Sequence, residues 1–134
     1  MNVIVDIWRS FRALPLWVQI WVAVVLVPIN LAGVFFWGEA VGRIGAVLGI
    51  LGMAPNMYFM ISERGFSKIM ALPHLLPWTV QVVWLLVIMT GDAPALGVAA
   101  AYAWGLIAVN TISLFFDYRD AVDWWRGDRA PVRK

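Results

Sequence analysis

The chain has no cysteine among its 134 residues. Disulfides, thiolate metal sites, iron–sulfur clusters and thiol catalysis are therefore excluded. Histidine occurs once, at position 74. A lone imidazole supplies neither the three or four ligands of a zinc site nor, within one subunit, two axial histidines for a haem. Charge is scarce: 10 basic and 8 acidic side chains make up 13% of the residues, about half the ~25% of an ordinary soluble domain. The net charge of +2 leaves no broad basic surface for nucleic acid. No Walker loop, dinucleotide fingerprint or Ser–His–Asp arrangement is legible, so no cofactor is expected and the chain is not expected to be an enzyme.

What is abundant is apolar: 63% of the residues are hydrophobic. A soluble fold of this size needs more polar surface than that leaves. Four long apolar runs cover residues 16–37, 41–62, 69–89 and 97–116. Each approximates the ~20 residues that carry a helix across a ~30 Å hydrocarbon core. Helix is required there, because lipid offers backbone polar groups no partner. The connections, residues 38–40, 63–68 and 90–96, are short, so successive helices should be antiparallel neighbours. The expected fold is all-α: a four-helix antiparallel transmembrane bundle, with residues 1–134 forming one integral membrane domain.

Both ends should be helical at the membrane surface. Within residues 1–15, Ile4, Ile7, Trp8, Phe11 and Leu14 share one helical face, and Asn2, Asp6, Arg9 and Ser10 the other. That pattern suits an amphipathic interfacial helix ending at Pro15, although it equally suits a helix packed on a partner protein. In residues 117–134 the last helix should continue through Tyr118, Val122 and Trp125, weakly supported by Arg119 and Asp123, and stop near Gly127 before a loose polar tail. The first apolar run exceeds the 7–15 residues of a signal-peptide core, so an uncleaved span is expected.

Arg9, Arg12, Arg64, Lys68, Arg119, Arg126, Arg129, Arg133 and Lys134 all fall on one side of the four-span arrangement, and only Arg43 on the other. The positive-inside rule then places both termini in the cytoplasm, most simply at a bacterial inner membrane. Trp8, Trp17, Trp21, Trp124 and Trp125 mark the cytoplasmic headgroup level and Trp37 the outer one. Glu39 stands four residues before Arg43, a spacing that allows them to pair.

The clearest internal pattern lies in the second span. Gly42, Gly45, Gly49 and Gly52 share one helical face, and Asn56 continues the row. Such small-xxx-small rows let membrane helices approach closely. The fourth span carries a second row, Gly97, Ala101, Gly105 and Ala108. The two rows are expected to face each other, or the first to meet another subunit.

No carboxylate is expected deep in a span, which argues against a proton-coupled exporter. Counted from the cytoplasmic helix ends, Asn56, His74 and Asn110 each fall five or six residues in, some 8–9 Å at ~1.5 Å per residue. Gln19 enters near the same level, with Asn30 and Gln81 further out. This polar level is either structural glue or a cytoplasm-facing pocket in which His74 can change charge. Pro28, Pro55, Pro73 and Pro77 interrupt the first three spans and free backbone carbonyls near the polar residues. Whether Pro73 opens the third helix or kinks it is left open by the sequence.

Two roles follow. One is a non-enzymatic structural or accessory membrane protein, with the bilayer and a larger complex or second copy as partners. The other is an oligomeric small-solute carrier or channel using Asn56, His74 and Asn110. The charge asymmetry is testable by itself. Single cysteines at Ala93 and Gly127 should react with a membrane-impermeant maleimide from opposite sides of the membrane. Labelling from one side contradicts the even span count.

Overall fold

The computed structural model describes residues 2–132. Every element among them is helical, and four helices are long and apolar enough to cross a membrane. Helix α1 is Val3–Ala13, started by the Asn2 side chain accepting from the Ile4 amide. The broken helix α2 spans Leu16–Phe36, α3 is Ala40–Ser62, α4 is Leu72–Met89 and α5 is Gly97–Trp125.

Helix α2 is not a uniform span. Leu16–Ile20 is α-helical, Trp21–Leu26 is a π turn, Val27–Leu31 returns to α, and Ala32–Phe36 tightens to 3₁₀. The widened turn ends two residues before Pro28. A proline ring has no N–H to donate and clashes with the carbonyl four residues earlier; opening the turn relieves that clash. Pro73 lies in the first turn of α4, after the 3₁₀ turn Lys68–Ala71. A first-turn proline loses no intrahelical bond, so it opens the helix without kinking it. Helix α5 runs unbroken through Phe116 to Trp125, with Gly127 at φ 108° just beyond its end.

The glycine row of α3 is buried, but it does not meet the small row of α5. Each glycine faces a different neighbour. A side chain at Gly42 would strike the Phe36 backbone, and one at Gly45 the Tyr102 hydroxyl. At Gly49 it would come within 2.8 Å of Asn30 Oδ1, and at Gly52 it would strike the Trp78 indole. Gly33 of α2 joins the contact: a Cβ there would stand 2.6 Å from Ala46 N and Gly42 O. On α5 the buried face is Ala99, Tyr102, Ala103, Leu106 and Asn110. Gly97, Ala101 and Ala108 are exposed, and Gly105 is only partly covered. The correction has a simple cause. Bulky Tyr102 and Leu106 gain more by burial than alanines do, so the large face of α5 turns inward and fills the space that α3 leaves.

The core joins Trp78, Val82 and Leu85 of α4 to Val41 and Ile44 of α3, Leu26 of α2 and Tyr102, Ala103 and Leu106 of α5. The outward surface is also apolar: Phe35 is 86% exposed, Leu76 74% and Val87 64%.

At the end where α1 and the segment after α5 meet, α1 turns its polar residues inward. Asp6 and Ser10 are buried, while Ile4 and Trp8 are exposed. Asp6 pairs with Arg64 at 2.7 Å. Ser10 Oγ accepts from the Phe66 amide and donates to the Val132 carbonyl, and the Val132 amide donates to Phe66 O. The expected loose tail is therefore tied down as far as Val132. Lys68 adds a second tie, bridging Asp123 and Asp128 at 2.8 Å each. At the opposite end Arg43 does not pair with Glu39; its Nη1 donates to the Trp37 carbonyl at 2.8 Å.

These contacts predict opposite outcomes for two glycines. Gly49→Leu should destabilise by about 1–3 kcal/mol through overpacking. Gly105→Ala should stay within about 1 kcal/mol of the parent, because its Cβ meets only Ile29 Cδ1, at 3.5 Å. Thermal unfolding in detergent distinguishes them. Equal melting temperatures for the two variants contradict the packing.

Candidate functional site: two buried polar clusters

The single polar level expected from the sequence is divided into two clusters. The inner one links all four long helices. Asn30 Nδ2 of α2 donates to Asn110 Oδ1 of α5, and Asn110 Nδ2 donates back to Asn30 Oδ1, both at 2.9 Å. Asn110 Nδ2 also donates to Gln81 Oε1 of α4. Gln81 Nε2 donates to the Gly45 carbonyl of α3 at 2.9 Å, and Asn30 Nδ2 to Leu26 O. Asn30, Gln81 and Asn110 are all 0% exposed. An amide in an apolar interior is costly unless its hydrogen bonds are met. Here both Nδ2 donors of each asparagine have acceptors.

The outer cluster holds Asn56 of α3, His74 of α4 and Asp117 of α5. Asn56 Nδ2 lies 2.8 Å from His74 Nε2, and His74 Nδ1 lies 3.0 Å from Asp117 Oδ2. The carboxylate acceptor assigns the proton to Nδ1, leaving the Nε2 lone pair to accept from the Asn56 amide. The imidazole stacks on Trp78, ring centroids 3.9 Å apart and 9° from parallel. The Trp78 indole N–H donates to Gly49 O at 3.3 Å. Trp78 thus stands between the clusters.

The clusters repeat a register of seven. His74 and Gln81 are two turns apart on α4, as are Asn110 and Asp117 on α5. One face of each helix serves both clusters. The expected level therefore needs three corrections. Asn110 belongs to the inner cluster, since α5 continues to Trp125 and Asn110 lies fifteen residues before that end. Gln19 belongs to neither cluster. Its side chain accepts from Arg12 and donates to the Leu14 carbonyl, closing the turn between α1 and α2. Asp117, one residue past the apolar run 97–116 and outside the expected polar level, is a largely covered carboxylate against His74, with 14% side-chain exposure.

Asp117 and Trp78 were not legible as partners of His74. Asp117 is 43 residues away in sequence, and no periodicity links an acid on one helix to a base on another. Gly33 carried no row of its own. Trp21 turns inward, its indole donating to Ser113 Oγ at 3.0 Å.

The Asp117–His74 pair has the carboxylate–imidazole half of a hydrolytic triad. Its Nε2 side is met by an amide instead of a hydroxyl, so no nucleophile stands where the base would activate one. Among the described residues no three His, Asp or Glu side chains group as a metal site requires. The Asn56 side-chain oxygen, Oδ1, is buried without a hydrogen-bond partner.

The inner cluster makes a coupling prediction. Asn30→Leu and Asn110→Leu should each destabilise by about 1–2 kcal/mol, because each orphans the other amide. The double variant should lose less than the sum, by about 0.6–1.7 kcal/mol. A double-mutant cycle of unfolding in mixed detergent measures this; strict additivity contradicts the reciprocal pair.

Comparison with protein-family models, curated proteins and solved structures found no match for this chain.

Proposed function

We propose that the chain is a multi-pass membrane protein of four antiparallel transmembrane helices, with both termini and α1 at the cytoplasmic face. Its role is that of a non-enzymatic structural or accessory subunit, acting through helix contacts and its interfacial end. The carrying observation is the inner cluster. Asn30, Gln81 and Asn110 are spent on one another and on backbone carbonyls, with no exposed surface. Polar groups used in this way join helices and offer no solute a ligand. The apolar outward faces support the membrane setting, because a soluble monomer rarely exposes such large apolar patches. Seven basic residues, Arg9, Arg12, Arg64, Lys68, Arg119, Arg126 and Arg129, lie at one end and support the orientation, while Arg133 and Lys134 lie outside the described residues.

The competing role is the carrier or channel. It would draw on the outer cluster, where the buried Asn56 oxygen has a free lone pair. Reconstitution distinguishes the two roles. Liposomes containing the purified protein should hold an imposed proton gradient, and entrapped small solutes, as long as protein-free liposomes do. Leakage that rises with protein content and is lost in His74→Leu or Asn56→Leu overturns the accessory role and establishes the carrier.

A further inference from the structure

The outer cluster surrounds the His74 ring with three groups, and each of them binds an imidazolium better than a neutral imidazole. At Nδ1 stands the Asp117 carboxylate, 3.0 Å away. A cationic donor makes the stronger hydrogen bond to it. At Nε2 stands the Asn56 amide, 2.8 Å away, whose own Oδ1 is buried without a hydrogen-bond partner. Against the ring face lies the Trp78 indole, with centroids 3.9 Å apart and planes 9° from parallel. The face of an indole attracts a cation.

Charge points the same way. With a neutral imidazole, the His74–Asp117 pair carries a net negative charge in largely covered surroundings, the two side chains being 11% and 14% exposed. One more proton makes an ion pair without net charge. Helices α2 and α4 carry no other titratable side chain. Those of α3 lie elsewhere: Arg43 donates to the Trp37 carbonyl at the opposite end, and Tyr58 is 70% exposed against Phe59. On α5 the Tyr118 hydroxyl is bound to Thr79. Asp120, one turn beyond Asp117, shares its sign and is opposed by Lys68 and Arg119. Lys68, just before α4, bridges Asp123 and Asp128. The group that opposes Asp117 is His74 itself.

We propose that Asn56, His74 and Asp117 form a proton-binding site in which proton uptake turns the Asn56 amide. In the proton-free form Nδ1–H donates to Asp117, and Nε2 accepts from Asn56 Nδ2. The incoming proton comes from water and bonds to the Nε2 lone pair. Nε2–H then donates to Asn56 Oδ1 once the amide has turned over, its two edges being alike in size and opposite in hydrogen-bonding character. One amide atom is unmatched in either form, so the turn loses no hydrogen bond. The contact at Asp117 becomes an ion pair, and the stack on Trp78 becomes a cation–π contact. The small exposure of His74 and Asp117 gives the proton its way in. The inference goes beyond the accessory role and does not depend on it. A proton taken up and released on one side of the closed inner cluster leaves an imposed gradient intact.

Because histidine occurs once, ¹⁵N-histidine labelling of the full chain in detergent micelles yields a single imidazole. Nuclear magnetic resonance then separates ring nitrogens that bear hydrogen from those with a lone pair. On the alkaline side Nδ1 should bear hydrogen and Nε2 should be bare, the reverse of the tautomer that free histidine favours. On the acid side both should bear hydrogen, and the Asn56 side-chain amide should shift at the same midpoint. Asp117→Asn should need a roughly tenfold or higher proton concentration to fill the site. Arg129→Gln, stacked on Trp124 outside the cluster, should titrate as wild type does. Four results overturn the proposal: a ring whose protonation never changes while the protein stays folded, an Nε2–H tautomer on the alkaline side, an Asn56 amide that ignores the ring's titration, or a midpoint unmoved by Asp117→Asn. The first three come from wild type, so they decide the matter whether or not Asp117→Asn folds. The liposome gradient is a separate readout: leakage overturns the accessory role and leaves this site standing.

Discussion

At Gly42, Gly45, Gly49 and Gly52, α3 offers its neighbours bare backbone, and each neighbour fills the space with a different group: Phe36, Tyr102, Asn30 and Trp78. A side chain at Gly42 or Gly49 would meet the backbone of α2, and one at Gly45 or Gly52 would push the Tyr102 or Trp78 side chain out of place. The backbone carbonyls exposed by the glycines then become acceptors. Gly45 O takes the Gln81 amide and Gly49 O takes the Trp78 indole. Close packing and polar satisfaction are one constraint here, since the amides reach the α3 backbone only because no side chain stands before it. In a buried apolar interior, where water cannot serve as the fallback partner, both halves are needed together.

The two polar clusters differ in what surrounds them. The inner one is closed by its own reciprocal bonds at the meeting point of four helices. The outer one involves three helices, keeps a small exposure at His74 and Asp117, and leaves one amide oxygen unmatched. Trp78 lies across the boundary, with its ring on His74 and its N–H on α3. A large aromatic with a polar edge suits that position, because it satisfies a carbonyl while covering an imidazole.

Polar bonding at the terminal end is of another kind. Asp6, Ser10, Arg64, Lys68, Asp123 and Asp128 tie α1, the 63–68 connection and the tail to one another. With its polar side so occupied, α1 shows Ile4 and Trp8 outward, so its apolar face is the unpartnered one.

The four long apolar helices, their limits to within a few residues, the amphipathic first helix and the stop near Gly127 were all legible in the sequence. Each depends on local rules: run length, periodicity, and the conformational freedom of a glycine past a helix end. The glycine row was legible as a packing face for the same reason. Its partner was not. Which face of α5 turns inward depends on how Tyr102 and Leu106 compete with Ala101 and Ala108 for the space left by α3, and that is a comparison between helices. Depth counting failed at Asn110 because it measured from where hydrophobicity stopped, while the helix itself continued to Trp125. His74 could be named as a buried imidazole, but its carboxylate, its amide and its stacking ring come from three separate places in the chain. Periodicity along one helix places residues on a face. The rotation of that face toward particular neighbours is set by the packing of all four helices together, and only the tertiary structure decides it.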